Sequence, residues 1–163
     1  MSMLIGWLFS NDLLVELSES KIVIRTLGSG LKFEYEPYLA VDTSGKKTVV
    51  KGVGSEAKLQ SGAGIQVINP FSHPRSFVAD FYVAEKLIQH GLYKVHKSNF
   101  FKPAPRIIMH QLEKTDGGLT NIEERVLREL ALGSGAREVV IYIGETLNSD
   151  RVTFEDIKRK IAT

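Results

Sequence analysis

The chain has 163 residues, a formal net charge of +2 from 21 basic and 19 acidic side chains, 43% hydrophobic residues and no cysteine. This is the composition of an ordinary globular protein, long enough to bury about 70% of its unfolded surface around one core. It excludes disulfides, thiolate metal sites and cysteine nucleophiles, fits a reducing compartment, and gives no global electrostatic reason to bind nucleic acid.

The amino terminus, Met1 to Phe9, is almost wholly apolar. It has no basic n-region, and Ser10-Asn11-Asp12 follows where a signal peptide would carry its cleavage site. Nowhere does an apolar run approach the roughly 20 residues that cross a bilayer. Two readings of residues 1–9 stand: a segment lying in a membrane interface with Trp7 at headgroup depth, or one packed on its own domain or a neighbouring subunit.

The next third reads as strands. Asp12–Leu17 and Lys21–Leu27 are short β-branched runs around Ser18-Glu19-Ser20, a hairpin pattern. Gly28-Ser29-Gly30 turns the chain into a third strand, Phe33–Asp42, with Pro37 at an edge or bulge. Lys47–Val53 reads as a fourth strand, Ser55–Gln60 as one or two helical turns, and Ile65–Ile68 as a short strand before a proline-marked loop. From Asp80, a sound N-cap, Ala84, Leu87, Ile88, Leu92 and Val95 recur at helical spacing over about 15 residues. Arg106–Leu112 predicts a strand. Thr120 and Glu123 form a capping box for a second helix with Ile122, Val126, Leu127 and Leu130 as its buried stripe, stopped by Gly133 or Gly135. Glu138–Ile143 is nearly continuous apolar strand, and Thr153 caps a last helix whose Phe154, Ile157 and Ile161 share a face. Three leading strands, an inserted segment and an alternation of helix and strand predict one α/β domain with a mixed sheet.

Few residues stand out chemically. Gly52-Val53-Gly54-Ser55-Glu56-Ala57 matches a dinucleotide-binding pattern, but the helix after it is too short for a crossover between parallel strands, so a turn and helix cap is the better reading. There is no phosphate-binding P-loop and no nucleophile elbow. His73, His90, His96 and His110 are scattered, with no metal-ligand spacing. The carboxylates Glu34, Glu36, Glu123 and Glu124 read as surface and helix-start charges rather than an acid–base pair. Lys94, Lys97, Lys102 and Arg106 around Phe100-Phe101 make a basic, aromatic stretch, but cations late in a helix also favour its dipole and four charges are few, so no nucleic acid is expected as a partner.

Several segments together carry a family resemblance: Ser10-Asn11-Asp12-Leu13 entering the first strand, Val53 to Lys58 in the insertion, Phe77 to Phe81 leading to Ala84-Glu85-Lys86, then Glu123-Glu124-Arg125 and Gly135 to Val139. In this order and spacing, over residues 1–143, the chain resembles the amino-terminal half of the MreB family, the rod shape-determining bacterial actin homologues. The resemblance implies a ribonuclease-H-like (actin-like ATPase) fold with a mixed five-stranded sheet, flanking helices and a small inserted subdomain. It divides the single domain, residues 1–163, into the apolar segment 1–9, a core from 10–44 and 78–163 (subdomain IA), and an insertion, 45–77 (subdomain IB). It also implies a cytoplasmic protein that contacts the inner face of the membrane peripherally through Leu4, Ile5, Trp7, Leu8 and Phe9.

The departures from the family set the functional expectation. The family's first hairpin carries Asp-Leu-Gly-Thr, whose glycine lets backbone amides approach nucleotide phosphates; the matching positions here are Glu16-Leu17-Ser18-Glu19. A Cβ at Ser18 restricts that approach, and Glu19 places a negative charge where a phosphate would lie. Two like charges about 4 Å apart repel by roughly 4 kcal/mol at an effective dielectric of 20. Glu16, Ser18, Glu19 and Lys21 are therefore read as a degenerate phosphate hairpin, and Glu145 is displaced by one residue from the family's catalytic glutamate. The family's second phosphate loop and adenosine pocket lie in its second half, and 163 residues match only the first, closed by a terminal helix. These departures imply a non-catalytic protein with no cofactor and no catalytic or metal-binding residue, acting through contacts with MreB-like filaments, morphogenetic proteins or itself. The alternative is an ATP- and Mg²⁺-binding chain that completes its cleft by oligomerising or with a second chain, using Glu16, Lys21 and Glu145.

Overall fold

The structure is a computed structural model that describes residues 11–96 and 103–162. Strands β1 (Asp12–Leu17), β2 (Ile22–Thr26) and β3 (Lys32–Tyr35) form an antiparallel meander. Later in the chain, β7 (Arg106–Gln111) adds parallel to β1, and β8 (Glu138–Tyr142) adds parallel to β7. The resulting mixed sheet has the order β3-β2-β1-β7-β8 and five strands, as the resemblance implied.

Strand periodicity divides its side chains between two faces. Leu13, Val15, Leu17, Ile107, Met109, Val139 and Ile141 face helices α1 (Phe81–His96) and α2 (Asn121–Gly133), meeting Leu87, Ile88, Leu127 and Leu130. Leu14, Ile108, Val140 and Tyr142 face α3 (Phe154–Ala162), meeting Phe154 and Ile157. With both faces covered, all six residues of β1 are buried, which is why its run tolerates so little polarity.

The helix signals are realised as geometry. The Asp80 carboxylate accepts the Val83 amide at 3.0 Å, and Thr120 and Glu123 exchange side-chain-to-amide bonds of 3.2 and 2.7 Å. Thr153 and Asp156 repeat that exchange at the start of α3. Helix α2 ends at Gly133, and Gly135 supplies the positive φ of +115° that turns the chain back.

Three expectations differ. The single strand expected over 33–42 is two strands in two sheets. Pro37, which has no amide to donate, sits at a sharp turn where the Tyr38 amide bonds to the Glu36 carbonyl at 2.9 Å. After it, β4 (Leu39–Asp42) is the centre of a separate antiparallel sheet, order β5-β4-β6, with β5 (Val49–Val53) and β6 (Ile65–Ile68) at its edges. The small sheet thus begins at Leu39, ahead of residue 45, while Leu39 and Val41 remain part of the main core. A 3-10 segment, Gly54–Leu59, packs beside it. Second, Ile122 is 72% exposed, because the first turn of α2 reaches past the end of β7 and lines a hollow of about 160 Å³ with Phe77, Val78, Gln111 and Val126. Third, Ile161 is exposed, because only Phe154 and Ile157 of α3 reach the sheet.

Candidate functional site

Strands β1, β7 and β8 are parallel and end together, so the residues at their carboxyl ends are neighbours: Glu16, His110 and Tyr142 share one register line on the α3 face. This is the edge on which open α/β sheets place ligands. The β1–β2 turn, residues 18–21, lies at the same edge.

Of the four hairpin residues singled out from sequence, Glu16 lies on β1 and Ser18, Glu19 and Lys21 form the turn, and they face different partners. Glu16 is only 4% exposed, and its carboxylate accepts a bond from Arg25 Nε at 2.6 Å across the hairpin. Ser18, 5% exposed, closes the turn: its amide and hydroxyl donate to the Lys21 carbonyl at 3.1 and 3.0 Å. The Glu19 amide donates to the Glu113 carboxylate at 2.9 Å, and the Glu19 carbonyl accepts from the Asn69 side chain at 2.9 Å. Lys21 points along the sheet to Glu34, 3.5 Å away.

Sequence reading passed over three residues at this edge. His110 is 1% exposed. Its Nε2 bonds the Gly144 carbonyl at 3.1 Å, its ring meets Tyr142 edge-on at 4.7 Å, and its Nδ1 is buried without a hydrogen-bond partner. Burial pushes the His110 pKa below the ordinary histidine value, against the opposing pull of the Gly144 carbonyl and the Glu16 charge. The Tyr142 hydroxyl donates to the Glu145 carbonyl at 2.7 Å, which fixes the start of the loop after β8. Gly144 there has φ +145°, and a Cβ on it would come within 2.8 Å of that hydroxyl. The Glu145 side chain itself is exposed. Glu113 is the third, the anion that engages the Glu19 amide. The available signal was the isolated polar residue in each apolar strand: Glu16 in Leu-Leu-Val-Glu-Leu and His110 in Ile-Ile-Met-His-Gln.

Leu4, Ile5, Trp7, Leu8 and Phe9, read as a membrane contact, lie outside the described residues, as do Lys97, Phe100, Phe101 and Lys102. Among the described residues, no cluster of three or more histidine, aspartate or glutamate side chains is placed to hold a metal ion, and no helix is long and apolar enough to cross a membrane.

Comparison with known proteins agrees with this architecture. The cell shape-determining protein MreB of Pasteurella multocida is 35% identical over 139 residues, covering 82% of this chain and 38% of that protein. Among solved structures, MreB5 of Spiroplasma citri bound to ADP superposes with a TM-score of 0.65 at 17% identity, over 82% of this chain and 38% of that one. The MamK double helical filament superposes with a TM-score of 0.54 at 19% identity, over 82% and 41%. At such identities the solved structures establish the actin-like fold alone. The chain spans well under half the length of each of these relatives. The sequence pattern of the MreB/Mbl protein family matches residues 10–148, and the chain belongs to that family.

Proposed function

We propose that this chain is a non-catalytic, cytoplasmic member of the MreB family that serves the cell-shape cytoskeleton through protein contacts, by associating with itself or with filament-forming relatives. One observation carries the reading: the Glu19 amide already holds the Glu113 carboxylate at 2.9 Å. A nucleoside triphosphate fits this hairpin poorly for related reasons. The Ser18 side chain fills the turn, the Glu19 side chain repels a phosphate, and the Glu16 carboxylate is engaged by Arg25 at 2.6 Å. Self-association is supported by the likeness of fold to MamK, whose solved form is a double helical filament. Isothermal titration of the full chain with Mg-ATP tests the absence of nucleotide chemistry; the expected result is no measurable heat of binding. Micromolar binding accompanied by turnover would overturn the reading.

The alternative, an ATP-binding chain completed by a partner, has on its side the ADP bound to the related MreB5. It requires Glu16 to leave Arg25, Lys21 to leave Glu34, and Glu145 to turn inward. Phosphate release that climbs steeply with protein concentration would favour it.

A further inference from the structure

Among the described residues, β3 is the last strand of the large sheet and pairs only with β2. The Thr26 amide donates to the Leu31 carbonyl at 3.0 Å, which sets the phase of the antiparallel ladder. By the alternation of such ladders, Phe33 and Tyr35 bond inward to Ile24 and Ile22, while the amides and carbonyls of Lys32 and Glu34 point outward. This outer edge is open. Leu31 is 67% exposed, Lys32 and Glu34 are exposed, and a hollow of about 860 Å³ lies along residues 33–36. An open edge with outward amides and carbonyls is a template for another strand.

The charges on the strand select its partner. Lys32 and Glu34 stand on one face, and Phe33 and Tyr35 on the other, where the Phe33 ring meets Tyr35 at 5.1 Å and His90 at 6.2 Å. Within one chain Glu34 has Lys21 at 3.5 Å and Lys32 at 3.9 Å, exposed pairs of little strength that leave the carboxylate available. A second copy of β3 laid antiparallel against the first has to match the outward groups of residues 32 and 34. Centred on Lys32, the pairing sets lysine against lysine; centred on Glu34, it sets glutamate against glutamate, and both repel. Centred on Phe33, it sets each Lys32 opposite Glu34 of the other copy, so all four outward residues are hydrogen-bonded and both charge pairs are of opposite sign. That register also brings the two Phe33 residues together as a non-hydrogen-bonded pair, where cross-strand side chains approach most closely. The hollow narrows at Tyr35, where a Cβ on Gly54 would lie 3.7 Å from Tyr35 Cβ. The incoming strand meets that end with Leu31 and then Gly30, which has no side chain to place there.

We propose that two copies of this chain join edge to edge through β3, antiparallel and centred on Phe33, so that their large sheets become one. The proposal rests on the self-association reading and names its surface. Sedimentation equilibrium of the full chain tests it by exchange of charge. Lys32→Glu alone leaves glutamate against glutamate across the edge, and Glu34→Lys alone leaves lysine against lysine. Each is expected to weaken self-association at least tenfold. An equimolar mixture of the two variants is expected to recover it, because the mixed pair sets two glutamates against two lysines. Both exchanges made in one chain should recover it as well. The absence of cysteine supplies an independent readout. Facing residues of a non-hydrogen-bonded pair have Cα atoms about 4.5 Å apart, within disulfide reach. Oxidised Phe33→Cys is therefore expected to form a covalent dimer in larger yield than Val49→Cys, an exposed position in the small sheet. If the chain associates but neither single exchange weakens it, the edge is wrong and self-association stands. Weakening that neither the mixture nor the doubly exchanged chain recovers overturns the register, and so does a Phe33→Cys dimer no more abundant than that of Val49→Cys. An unmodified chain that is monomeric at every concentration overturns both the edge and the self-association reading.

Discussion

The two ends of the same three parallel strands are built in opposite ways. At the amino ends, Arg106 of β7 grips Asp12 of β1 with two bonds of 2.8 and 2.7 Å, reaches Glu155 of α3 at 2.7 Å, and stacks on Phe154 at 4.6 Å. Beside it Lys158 of α3 meets Glu138 of β8 at 2.6 Å. These groups satisfy one another and fasten α3 to the sheet. At the carboxyl ends, Glu16 has a single partner, His110 keeps a buried nitrogen unbonded, and the turn amide of Glu19 is engaged by a carboxylate from another loop. One edge is a structural lock. The other keeps buried polar groups with fewer partners.

Substitutions test that contrast most strongly at the lock. Phe154→Ala removes the fully buried ring on which α3 depends and should cost about 3–5 kcal/mol in urea unfolding. Arg106→Ala strands the nearly buried Asp12 carboxylate and should cost about 3 kcal/mol by the same measurement, with Asp12→Asn in the same chain recovering part of the loss. A cost below 1 kcal/mol for Arg106→Ala would remove the lock from the comparison.

The two edges should also answer differently to pH. The folded chain holds His110 below its ordinary pKa, so above about pH 6.5 it is neutral in both states and contributes nothing to pH dependence. As pH falls below that value the unfolded chain takes the proton first, and stability declines until the folded pKa is reached. His90, also lowered, mainly by burial, adds to the same slope. His110→Phe should flatten part of the decline in unfolding free energy between pH 7 and 5; an unchanged slope would contradict the burial assigned to His110. At the lock, the Glu138 pKa is lowered by Lys158, so its contribution is present above the ordinary carboxylate range and is lost only on further acidification. The smallest effect is expected at the start of α2, where Thr120→Ala deletes one cap and should cost about 1 kcal/mol.

What could be read from sequence follows how local the determining interactions are. The caps at Asp80, Thr120 and Thr153 were legible because each is a bond between residues three apart. The core strands were legible because burial on both faces leaves no polar alternation. Pro37, read as an edge or bulge, separates two strand-like runs, and only long-range pairing sends them to different sheets. Ile122 and Ile161 carried the right period but stand beyond the reach of the sheet. At the carboxyl edge, the hairpin residues were located by family resemblance. Their partners Glu113 and Asn69 lie in other loops, 94 and 50 residues from Glu19, where no spacing rule reaches. His110 looked like one of four scattered histidines until parallel pairing placed it beside Glu16.

The parallel pairing of β1 with β7 has a kinetic consequence. The meander β1–β2–β3 closes through short turns, whereas Asp12 meets Arg106 across 94 residues of chain. Closing so long a loop carries an entropic penalty that the hairpins escape, so the meander should be formed in the folding transition state and the central β1–β7 ladder completed after it. In rapid-mixing refolding, Val23→Ala in the meander is expected to slow folding, while Ile108→Val in β7 chiefly speeds unfolding. The strand at the centre of the finished sheet therefore spends the early part of folding as an open edge.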